Sequence, residues 1–121
     1  MKKILVVILA ILFAATLVSA SDWAKGSGAK TASAAISTKS GVLRQIIVTT
    51  ASTNAVTVDL YDNPSAGSGT KLIPTWAIPA QSTAGGVQTL LINDERFGSG
   101  LYAAVTGSGG FSYVVIYRED N

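Results

Sequence analysis

Two groups of carboxylates are the residues best suited to do chemistry: Asp59 and Asp62 with Asn63 beside them, and Asp94 next to Glu95. Such oxygens can contribute to a calcium site, and acids paired across a cleft are the equipment of a glycosidase. Neither pattern is complete, because no loop repeats acids at the alternate positions that a calcium cage needs. The expectation is that these acids occupy turns and strand edges, where charge also discourages edge-to-edge aggregation. No metal or other cofactor is expected.

The chain contains no histidine and no cysteine. That removes Ser-His-Asp and Cys-His catalysis, since a serine at its free pKa needs an adjacent base. It also removes the usual zinc and copper sites. No Ser-x-x-Lys opens a helical segment. The glycines Gly107, Gly109 and Gly110 lie between apolar segments with no Gly-Lys-Ser/Thr after them, so they do not form a phosphate cradle. The residue types point away from an enzyme.

What remains are residues suited to contact. Trp23, Trp76, Tyr113 and Tyr117 are candidates for a stacking surface, as on a carbohydrate-binding face. Tyr113 and Tyr117 share one face of a strand with Phe111 and Val115, so a packed aromatic face is the competing use. Ala32, Ala34 and Ile36 alternate within Ala32–Thr38 and could add as a strand to their own sheet or to a neighbour's.

The segment before these residues has the order of an export signal: Lys2 and Lys3, the uncharged apolar run Ile4–Val18, then Val18-Ser19-Ala20. The run is about 15–17 residues long, short of the roughly 20 that span a bilayer. Residues 1–20 are therefore expected to be a hydrophobic helix that is cleaved as a signal peptide, or that anchors the chain in a membrane if retained. Without a Cys after the run, a lipoprotein is excluded. The remaining chain is expected to be exported in either case, to the periplasm, the cell exterior or a virion surface.

Past residue 20 the chain is the size of one domain. Nine Lys and Arg face seven Asp and Glu, and two of the nine are Lys2 and Lys3, so the rest is balanced at seven against seven. A neutral domain lacks the footprint for nucleic acid or an anionic membrane surface. Without cysteine it holds itself by packing and hydrogen bonds alone.

Residues 21–40, rich in Ala, Ser, Gly, Thr and Lys, read as a flexible arm or linker. From Gly41 to residue 121 the texture is that of short strands between glycine- and proline-marked turns. Ala55–Asp62 alternates cleanly, with Val56, Val58 and Leu60 on one side. Leu101–Thr106 and Phe111–Arg118 read as a hairpin across a glycine loop. The expected fold is an all-β, antiparallel, jelly-roll-like sandwich of six or seven strands. Its expected core includes Ile47, Val56, Val58, Leu60, Leu72, Trp76, Ile78, Leu91, Leu101, Val105, Val114 and Ile116.

Several strings stand in a familiar order: Ser40-Gly41-Val42-Leu43, Leu60-Tyr61-Asp62, Gly69-Thr70-Lys71-Leu72, Gly100-Leu101-Tyr102, and the tyrosine-rich end Tyr113–Arg118. Over Ser40–Arg118 the pattern resembles small β-sandwich proteins encoded by tailed phages and prophages, largely uncharacterised and including candidate virion components. The resemblance implies a structural role: a non-enzymatic module decorating or assembling into a virion or surface structure, with protein partners that include its own copies. An extracellular filament subunit and a secreted carbohydrate-binding module are the alternatives.

Overall fold

Where apolar and polar residues alternate without interruption, the chain forms the strand that the alternation demands. Val56, Val58 and Leu60 are buried on one side of Val56–Asp62, and Thr57, Asp59 and Tyr61 lie half-buried on the other. The computed structural model describes residues 24–50, 55–80, 86–107 and 110–121. Among them are nine strands and no helix. The strands are β1 (Lys25–Gly26), β2 (Ala34–Ser37), β3 (Gly41–Thr50), β4 (Val56–Asp62), β5 (Thr70–Lys71), β6 (Trp76–Ile78), β7 (Gly86–Phe97), β8 (Leu101–Gly107) and β9 (Phe111–Glu119). Seven of them have three residues or more.

They form two sheets. One has the order β1-β9-β3-β7, and the other has the order β2-β8-β4-β5 with β6 also paired to β4. Every pairing is antiparallel. The pairs are nested: β1 meets β9, β2 meets β8, β3 meets β7, and β4 meets β5 and β6. One apolar core takes residues from both sheets, among them Leu43, Ile46, Tyr113 and Val115 from the first and Val58, Leu60, Leu101 and Val105 from the second. The fold is all-β and sandwich-like.

The described part of the 21–40 segment is built into this frame and is not a free linker. β1 lies on β9, Lys30 bridges Tyr113, and β2 lies on β8, so the arm runs from the edge of one sheet to the edge of the other. Small side chains bury little area, but they let backbone approach backbone. Serine supplies the remaining bonds. The Val115 N–H donates to Ser27 Oγ at 2.9 Å, and the Val105 N–H donates to Ser33 Oγ at 3.0 Å. The expected N-terminal helix over residues 1–20 lies outside the described residues, as does Trp23. Among the described residues no helix is long and apolar enough to cross a membrane.

Four expectations change. β8 and β9 are consecutive but belong to different sheets, so they do not form a hairpin. Each pairs elsewhere, β8 with β4 and β9 along the whole of β3. In β3, Ile47 is half-buried, and Ile46 and Val48 fill the core. Strict alternation from the buried Leu43 would point Ile47 inward, but a bulge at Arg44 shifts the register and reverses the faces beyond it. In β9, Tyr113, Val115 and Tyr117 are buried and Val114 and Ile116 only half-buried, because the larger rings fill more of the core. Leu91 also leaves the expected core: it is 76 % exposed on the edge strand β7.

Gly41 starts β3 between two strands, and a Cβ there would collide with the carbonyl oxygen of Arg118 and meet the Phe97 ring at 2.7 Å.

The bulge at Arg44 makes a testable distinction between neighbours. Ile46→Ala should cost about 2–5 kcal/mol in a denaturant titration, and Ile47→Ala should cost clearly less. Equal losses, or a larger loss at Ile47, would show that β3 keeps the unbulged register.

Candidate interaction surface

The residues singled out for contact largely contact each other. The Tyr113 hydroxyl donates to the Ala32 carbonyl at 2.7 Å, and the Tyr117 hydroxyl donates to the Ile36 carbonyl at 3.3 Å. Tyr113 is 1 % exposed and Tyr117 is 7 % exposed, so neither ring offers a stacking face. Burial in the apolar core raises both phenols above their usual value, that of Tyr113 to about 12. Ala34 pairs with Ala103 through the backbone, and Ile36 packs on the core. The arm and the tyrosine strand thus satisfy one another within one molecule.

Three of the four acids, Asp59, Asp62 and Asp94, also have partners within the chain. Asp62 ends β4 and faces the turn after β7, where it accepts three backbone N–H groups: Gly98 at 2.8 Å, Ser99 at 2.7 Å and Gly100 at 3.3 Å. These bonds, led by that from Gly98, hold its carboxyl below the usual carboxylate range. Gly100 is confined there, since a Cβ would meet Pro64 Cα at 2.5 Å and the Ser37 carbonyl oxygen at 2.7 Å. Asp59 accepts from Thr75 Oγ1 at 2.6 Å and pairs with Lys71 at 2.8 Å, and chiefly the Lys71 bond lowers its pKa. Asp94 faces Arg44 at 3.5 Å. Among the described residues no three acids gather as a metal site would need. Asp62 acts as a staple between strands, a role the sequence reading missed.

The open surface lies on the side of the sandwich opposite the arm. β7 ends the first sheet, and the β5 and β6 segments end the second. Between these edges is an apolar cleft of about 340 Å³ lined by Ile73, Pro74, Trp76, Leu90, Leu91 and Ile92, with Thr75 as its polar member. Trp76, half-buried on β6, is the only one of these lining residues that the sequence reading had singled out for contact. Leu90, Leu91 and Ile92 had a signal of their own, since Gly86–Asn93 carries no charge. Alternation along β7 points Gln88, Leu90 and Ile92 inward and Val87, Thr89 and Leu91 outward. Val87 is 65 % exposed and Leu91 is 76 % exposed.

No protein-family model matches the chain, and neither a curated protein nor a solved structure matches it.

Two measurements test these assignments. Asp62→Asn should lower stability by about 1–2 kcal/mol, a modest figure because the site is partly solvated. The folded carboxyl is more acidic than the ordinary 3.8, so its stabilisation is complete above that value and fades as pH falls through the lowered one. Wild type should therefore lose more stability than the variant between about pH 5 and pH 2. Parallel losses would remove Asp62 from this role. Tyr113→Phe should cost about 1 kcal/mol and delete the phenol that titrates near 12 in an ultraviolet pH titration. Loss of a phenol that titrates near the ordinary 10 instead would place Tyr113 in water.

Proposed function

We propose that this chain is an exported, non-enzymatic structural module: a jelly-roll-like sandwich that decorates or assembles into a surface structure, on a virion or outside the cell. The observation that carries this reading is the uncharged, apolar edge formed by β7 and the Trp76 cleft. A lone surface leucine is ordinary, but an apolar groove beside an edge strand with exposed Val87 and Leu91 is where partners bind. Nested pairing supports the jelly-roll description, because double-sheet folds of that kind pair their strands in this order. Lys2-Lys3 and the run Ile4–Val18 support export. The lack of histidine and cysteine supports a role without covalent chemistry.

Among exported assemblies, a virion or surface decoration protein is favoured, and an extracellular filament subunit is the alternative. A carbohydrate-binding role keeps one observation in its favour: the half-buried Trp76 in its open cleft. Tyr113 and Tyr117 do not contribute to it.

Electron microscopy and analytical ultracentrifugation of the purified exported protein test the proposal together. Discrete oligomers or ordered fibres are expected. Monodisperse monomers at every concentration, with binding on a glycan array that Trp76→Ala abolishes, would replace assembly by sugar recognition.

A further inference from the structure

We infer that the partner of the β7 edge is a second copy of this chain, paired antiparallel to itself across a two-fold axis at Thr89. This inference rests on the assembly reading above and specifies the contact. Val87 and Leu91 are the exposed large hydrophobic residues among those described. They lie on the same strand, point to the same outward face, and flank Thr89 by two residues on either side. An axis through Thr89, perpendicular to the sheet, therefore sets Val87 opposite Leu91 of the second copy, and Leu91 opposite its Val87. Both exposed apolar residues become covered by the same operation. Thr89 faces its own copy, a favourable cross-strand pair. On the inward side Gln88 meets Leu90 of the second copy.

Charge and backbone geometry set the limits of this contact. All the residues involved lie within Gly86–Ile92, which carries no charge, so no like charges are brought together. Residues 21–121 are themselves balanced, seven basic against seven acidic, so no long-range repulsion opposes self-association. The other half of the strand is protected. Between Leu91 and Glu95 the register with β3 shifts, Asp94 has a φ of 52°, and Asp94-Glu95-Arg96 follows with three charges. A bulge and charges are the devices that blunt an edge, and here they stop where the uncharged segment begins. The two-fold contact closes on itself, so it yields a dimer; a filament needs a second, different contact.

The chain has no cysteine, so introduced thiols report the register directly. Directly opposed residues sit about 4.5–5.5 Å apart at Cα, within disulfide reach, whereas residues offset by four positions are about 14 Å apart. Under mild oxidation of the full exported protein, Thr89→Cys should give a covalent dimer. Val87→Cys alone should not, but mixed with Leu91→Cys it should give the heterodimer. Leu91→Lys should keep the melting temperature of wild type at concentrations where both are monomeric, because the side chain is exposed there, and should raise the dimer dissociation constant roughly a hundredfold. An intact oligomer in Leu91→Lys, with no crosslink at Thr89→Cys, would overturn β7 pairing and leave assembly through another surface. Monomeric wild type at all concentrations would overturn the dimer and self-assembly together.

Discussion

Two tyrosine hydroxyls decide which surfaces this chain keeps and which it leaves open. Tyr113 and Tyr117 point from β9 into the core and bond the carbonyls of Ala32 and Ile36. A buried phenol must find a partner, and the arm supplies it. The arm in turn covers β9 on one sheet and β8 on the other, through β1, the Lys30 bridge and β2. Without that reciprocal satisfaction, β9 would expose a polar edge and the tyrosines would lack acceptors. The ion pair of Lys25 with Glu119 at 2.6 Å, with Ser37 bonded to the same carboxylate at 2.8 Å, joins the two ends of the arm to the end of β9.

The consequence is an asymmetric sandwich. One side is closed by the chain's own N-terminal segment. On the other, β7 has only β3 as its neighbour among the described residues, and the cleft beside Trp76 lies between the sheet edges. Asp62 stabilises the β7–β8 turn, so the far end of β7 is held, and the bulge near Asp94 bends it away from regular pairing. On the remaining regular half of β7, edge backbone groups, apolar side chains and the absence of charge coincide, the combination that suits strand addition.

Much of the fold was legible because its signals are local. The alternation of Val56–Asp62 gives both the strand and its buried face, and the glycine and proline turns mark most boundaries. The faces of β3 and β9 were less legible. Both strands are apolar on both sides, and the side facing inward depends on a bulge at Arg44 and on partners distant in sequence. The hairpin expected at the last glycine loop failed for a related reason: a short loop fits a crossing between sheets as well as a turn within one. Of the contact residues, Trp76 lies in the open cleft, whereas Ala32, Ile36, Tyr113 and Tyr117 are consumed internally. Composition reveals stickiness, but not whether the chain satisfies it itself. Leu91 shows the converse, since a leucine within an apolar run reads as core until strand order places it at an edge.

Amide hydrogen exchange, followed residue by residue at low and high protein concentration, examines both sides of this asymmetry at once. The amides of Ser27, Lys30 and Tyr113, bonded between arm and β9, should be protected at every concentration. The amides of β7 from Val87 to Leu91 that do not bond β3 should gain protection only as concentration rises. Free exchange along the arm, or outward amides on β7 that exchange equally fast at all concentrations, would contradict a sandwich closed on one side by itself and on the other by its copy.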